Sequence, residues 1–190
     1  MKQIYYDALV ETPIIAALKD DTSLEKCLKD DSLNIVFILY GSAVSIIDIV
    51  DKIKASGKIA FVHMDLISGL SSRTEAVDFI AKYTKADGII STRPEQMRRA
   101  KELDLCTIFR IFAIDSKSLE KARIKNYTEF ADAIEVLPGL MPSIITKLSK
   151  TIAPIPLIAG GLISEKHDII NALNAGAISI STTTCDVWNI

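Results

Sequence analysis

Eight short apolar runs punctuate the chain, and between them apolar and polar residues recur at helical spacing. The runs are PIIAAL (13–18), LNIVFILYG (33–41), KIAFVHMDLI (58–67), ADGIIST (86–92), LCTIFRIFAI (105–114), DAIEVLPG (132–139), IPLIAGGLI (155–163) and AISIST (177–182). Most are continuous rather than alternating, which predicts strands covered on both faces, as in a parallel sheet. The segments between them are long enough for crossover helices. Thr22 with Glu25 and Ser72 with Glu75 have the spacing of a capping box at a helix start. Pro142 suits a first helical turn, where a missing N–H costs nothing. Gly57 and Gly176 stand where helices should end.

Eight such units predict an α/β fold: a compact, parallel, eight-stranded (β/α)8 TIM-type barrel spanning residues 1–190 as a single domain. An open doubly wound sheet is the rival, but no G-x-G-x-x-G follows the first strand. At 190 residues the chain falls short of the ~200 usual for the barrel. The last helix is therefore expected to be truncated, a stub at DVWNI (186–190), and the first twelve residues to plug the barrel's bottom.

Composition narrows the class of function. No apolar run reaches the ~18 residues of a membrane-spanning helix, so no membrane partner is expected. MKQIYYDALVETP carries acids and lacks a long apolar core, unlike a secretory signal. Cys27, Cys106 and Cys185 are odd in number and far apart, without metal-ligand or disulfide spacing; a reducing cytoplasm is the expected setting, with no metal and no cofactor. The formal net charge of −2 disfavours a generally basic nucleic-acid binder but leaves room for a local patch.

In a barrel, residues at the strands' C-terminal ends converge on one face. That rim would hold Lys19, His63, Asp65, Ser91, Arg110, Glu135, Gly160, Gly161, Ser181, Thr182 and Thr183. So many charges suggest a small polar ligand. The seventh and eighth loops are the common phosphate site of this fold, and glycines let an anion reach backbone N–H groups. Gly160 and Gly161 would form one half of that cradle; the hydroxyls of Ser181, Thr182 and Thr183, with the dipole of a short terminal helix, would form the other. A tight turn and a capped helix are the plainer alternative. His63 and Asp65, two apart on one strand, are expected to point the same way, toward ligand hydroxyls or toward each other. Arg110 inside an apolar strand needs an anion, either Glu135 or a ligand. Lys19 could make a Schiff base or a simple ion pair.

FVHMDLISGLSS, ADGIISTRPEQMRRAKEL, IFRIFAIDS, AIEVLPG and PLIAGGLISEKHDIINALNAGAISISTTT together resemble the glycerol uptake operon antiterminator regulatory protein family, from about Ile14 to Trp188. The resemblance implies a (β/α)8 barrel without catalysis that responds to glycerol 3-phosphate and binds leader mRNA of glycerol-catabolism operons. It implies a phosphate at Gly160, Gly161, Ser181 and Thr182, and the glycerol end near His63, Asp65, Arg110 and Glu135. Two departures, YGSAVSI in the second loop and STTTCDVWNI at the end, leave effector specificity open. The span 93–125 holds nine basic and five acidic residues, a net of +4, so Arg93, Arg98, Arg99, Lys101, Lys117, Lys121 and Arg123 are RNA-binding candidates. An ordinary solvated face is the alternative there. A homo-oligomer is a further partner the reading admits. Two other functions use the same residues: a phosphate-ester isomerase or aldolase, and a metabolite-binding protein acting through a protein partner.

Overall fold

The computed structural model describes residues 1–114 and 127–189. Eight parallel strands close into a barrel in sequence order, β1 (Ile14–Leu18), β2 (Ile35–Ile38), β3 (Ile59–His63), β4 (Gly88–Ser91), β5 (Cys106–Phe112), β6 (Ala133–Leu137), β7 (Leu157–Gly160) and β8 (Ser179–Thr182), with β8 paired back to β1. Outside them lie α2 (Asp21–Leu28), α3 (Ile46–Ala55), α4 (Glu75–Tyr83), α5 (Pro94–Glu102), α6 (Pro142–Ile152) and α7 (Lys166–Asn174). A first helix, α1 (Gln3–Glu11), precedes β1.

The strands' period-two alternation sorts the core in two. Ile15, Ala17, Ile35, Phe37, Phe61, Ile90, Cys106, Ile108, Ala133 and Ile158 fill the barrel; their neighbours in sequence pack outward against the helices. α1 closes the bottom, as expected for the first twelve residues. Its Ala8 and Leu9 join the inner cluster, and the Leu9 carbonyl accepts from Ser179 Oγ at 2.8 Å.

Several local expectations change. α2 is capped by Asp20, which exchanges bonds with Ser23, so Thr22 and Glu25 are not its capping box. α4 begins after Thr74 with no side-chain cap, and Ser72 takes no part. Pro142 does occupy the first turn of α6, and Gly57 and Gly176 have φ of +79° and +107° just beyond α3 and α7. The terminal stub is a single 3-10 turn, Cys185–Val187, pinned by Trp188 Nε1 donating to the Thr182 carbonyl at 3.0 Å. One such turn has no useful helix dipole to offer an anion.

Candidate functional site

At the strands' C-terminal ends the inward positions of β5, β6 and β8 form one polar chain. Arg110 and Glu135 are register partners on adjacent strands. Arg110 Nε donates to Glu135 Oε2 at 2.6 Å, and Ser181 Oγ donates to Glu135 Oε1 at 2.5 Å. Glu135 is fully buried and Arg110 nearly so, so the arginine's anion is Glu135, and the carboxylate's two oxygens are both satisfied.

Gly160 makes this arrangement possible. A Cβ there would lie 2.3 Å from Ser181 Oγ and 2.6 Å from Glu135 Oε1. The glycine therefore gives room to a buried hydrogen bond, a requirement neither a turn nor a phosphate would impose. Gly161 serves the loop instead, with φ of +75°, followed by Leu162 at +63°. Two successive residues in the left-handed region, one of them a 74 % exposed leucine, mark a loop held in an unfavourable shape.

Above the polar chain is a cavity of about 410 Å³. Gly161–Ser164 and Ser181–Thr184 line it together with Ala17, Leu39, Leu137, Arg110 and Glu135. Thr182 is an anchor as well as a wall: its hydroxyl donates to the Ile163 carbonyl at 2.7 Å and accepts from Thr184 N–H at 3.1 Å. The loops after β7 and β8 are thus tied to each other.

His63 and Asp65 do not form the expected pair. β3 ends at His63, and a 3-10 turn over Met64–Leu66 breaks the period-two relation between them. Asp65 turns to the β4 loop, accepting from Ser91 Oγ at 3.1 Å, Thr92 N–H at 3.0 Å and Arg93 Nε at 3.0 Å. Burial alone would push its carboxyl up, but these bonds, from Thr92 first, outweigh it and hold the group below the usual range. Ser91 is also bonded to Gln96 at 2.7 Å, so both residues fasten the loop rather than face the cavity. His63 is buried in the barrel, and neither ring nitrogen has a hydrogen-bond partner among the described residues. Burial, helped by the positive Arg110, depresses its pKa to about 3, so the imidazole is neutral. Lys19 is exposed just past the end of β1 and does not line the cavity.

The basic candidates are scattered. Arg93 is held by Asp65; Arg99 meets Asp78 at 2.6 Å and Glu102 at 2.8 Å; Lys101 meets Asp132 at 3.3 Å. Arg98 lies over the Phe130 ring at 5.2 Å. Lys117, Lys121 and Arg123 lie outside the described residues. The cavity contributors missed in the sequence are Ala17, Leu39, Leu137, Leu162, Ile163, Ser164 and Thr184. The inward phase of the strands could have found Leu39 and Leu137; nothing in the sequence marks Ile163.

A closed parallel barrel with a cavity at its C-terminal mouth defines the class: a TIM-barrel protein. Residues 14–188 match the family described as glycerol-3-phosphate responsive antiterminator, and the chain belongs to that family. A glycerol uptake operon antiterminator regulatory protein from Listeria monocytogenes superposes with a TM-score of 0.87 at 33% identity, over 92% of this chain and 94% of that one. A glycerol uptake operon antiterminator-related protein from Thermotoga maritima gives 0.83 at 31% identity, over 94% and 99%. An uncharacterised protein of Escherichia coli (strain K12), YgcP, is 39% identical over 182 residues, 96% of this chain and 94% of that protein. Deoxyribose phosphate aldolase from Aeropyrum pernix shares the fold alone, at 15% identity with a TM-score of 0.71 over 94% and 88%. No helix among the described residues is long and apolar enough to cross a membrane.

Proposed function

We propose that the chain is a glycerol-3-phosphate-responsive antiterminator that binds leader mRNA of glycerol-catabolism operons, working in the cytoplasm as a sensor rather than an enzyme. The cavity carries this reading. Its walls are the β7 and β8 loops, and Gly161 and Thr183 are the positions where backbone N–H groups and a hydroxyl would meet the phosphate. Arg110 adds positive charge from the floor, while Glu135, bonded to both Arg110 and Ser181, holds the guanidinium in place. The glycerol end would lie toward Ala17 and Leu39.

The same groups suit binding better than turnover. Glu135 already accepts two hydrogen bonds, Asp65 holds a loop, His63 is enclosed and neutral, and Lys19 is exposed. A proton-transfer couple needs a group within reach of the ligand and free to change state. Ligand binding would then favour the conformation or oligomer with the higher RNA affinity.

Thermal melting tests the sensor. Glycerol 3-phosphate at 100 times its Kd adds about 2.7 kcal/mol, a rise of roughly 5–10 °C for a chain this size. Glycerol alone should do far less. No shift at millimolar glycerol 3-phosphate would remove this reading, and turnover of a triose phosphate lost in His63→Ala would replace it with the enzyme.

A further inference from the structure

Charge on the barrel's outer face is unevenly placed. The α4–α5 groove, which holds Arg98 and Arg99 of the basic span 93–125, is lined by four carboxylates, Glu75, Asp78, Glu95 and Glu102, against two guanidinium groups. Arg99 is already bonded to two of those acids. An RNA strand would meet net negative charge there.

α6 is different. Alone among the described helices, it carries cations and no carboxylate. Lys147 and Lys150 are exposed and, three residues apart, share one side of the helix. α7 packs beside it, with Thr146 Oγ1 donating to the Ala175 carbonyl at 3.0 Å, and opens with exposed Lys166 and His167. No ion pair among the described residues involves Lys147, Lys150 or Lys166. The nearby Asp168 is occupied, accepting from the Ser164 and Glu165 N–H groups at 3.2 Å each.

We propose that the α6–α7 face, rather than the α4–α5 groove, holds the RNA, with Lys147, Lys150 and Lys166 on backbone phosphates. This rests on the antiterminator reading and adds where its partner sits. Lysines placed this way position a strand without reading its bases. The exposed His167 ring gives a base something to stack on.

α7 begins at the cavity wall and the loop before α6 is bonded to that wall, which supplies a route for the effector. Gly139, three residues before α6, donates its N–H to the Gly161 carbonyl at 3.1 Å. Ser164, which lines the cavity, directly precedes Glu165, the N-cap of α7. An anion that repositions Gly161–Ser164 therefore acts on the starts of both helices, and through them on the lysines.

Fluorescence anisotropy with a labelled transcript of a glycerol-catabolism leader tests the face. Lys147→Glu/Lys150→Glu should weaken binding at least tenfold and flatten the plot of log affinity against log salt by about 1.4, at ~0.7 per single-strand phosphate contact. Lys147→Gln/Lys150→Gln should show a smaller loss in the same direction, and Arg98→Gln/Arg99→Gln should stay within about twofold. The melting shift with glycerol 3-phosphate should be the same in every variant. Tenfold loss in the arginine variant with none in the lysine variants would overturn the proposed face, as would an unchanged salt slope. Wild-type protein that shows no melting shift with glycerol 3-phosphate would instead overturn the antiterminator reading itself.

Discussion

Adding one methyl group at Gly160 should damage the mouth more than its size suggests. The backbone there is not in the left-handed region, so alanine meets no conformational strain. The obstacle is steric, with Ser181 Oγ and Glu135 Oε1 at 2.3 and 2.6 Å from the new carbon. Neither can retreat freely, since Glu135 is fully buried and fastened to Arg110. Separating Ser181 from the carboxylate forfeits about 1.5–3 kcal/mol for a hydrogen bond to a charged group. Overpacking adds about 1–3 kcal/mol, partly the same energy, so Gly160→Ala should cost about 3 kcal/mol in all. At roughly 2–4 °C per kcal/mol, the melting temperature falls by about 6–12 °C. Circular-dichroism melts and urea titrations measure this directly. Ser181→Ala should lose only the hydrogen bond, and combining the two should cost less than their sum, because the closest clash is gone. A Gly160→Ala protein melting within about 2 °C of wild type would refute the steric account.

Two further perturbations probe the same region. His63→Leu should match or exceed wild-type stability at pH 7, since it removes two buried nitrogens without partners among the described residues. Because burial depresses the folded His63 pKa to about 3 from 6.5, the unfolded chain binds the extra proton between those values. Stability should therefore fall as pH drops from about 6.5 toward 3, by up to ~1.4 kcal/mol per pH unit, and urea titrations of His63→Leu should lack that component. Arg110→Met strands the buried Glu135 carboxylate and should cost about 3–5 kcal/mol by urea titration; it should also lose the melting shift with glycerol 3-phosphate.

The barrel was legible in the sequence because continuous apolar runs and helical spacing repeat eight times, and closure follows from that repeat. Arg110 was legible for a related reason: a charge within an apolar strand demands a partner, and Glu135 lay one strand away. His63 and Asp65 misled because period two holds only while the strand lasts, and β3 stops between them. Counting cations on α5 leaves out where their partners sit. Composition sums charge along the chain, whereas Arg99 is neutralised by Asp78 on a different helix. Gly160 and Gly161 read as one motif, yet one clears space for a side-chain bond and the other bends a loop. Whether a glycine serves its own backbone or a neighbour's side chain depends on contacts that no short segment contains.

The interlocked loops after β6 and β7 bear on how this barrel could be re-engineered. Gly139 and Gly161 share a hydrogen bond, and a Cβ on Gly139 would strike Ile163 at 2.6 Å. Loop grafting treats each βα connection as an independent cartridge, and in this chain that assumption holds poorly on one side of the mouth. Residues 138–141 and 161–164 form a single exchangeable part, so recruiting either to a new ligand means transplanting both.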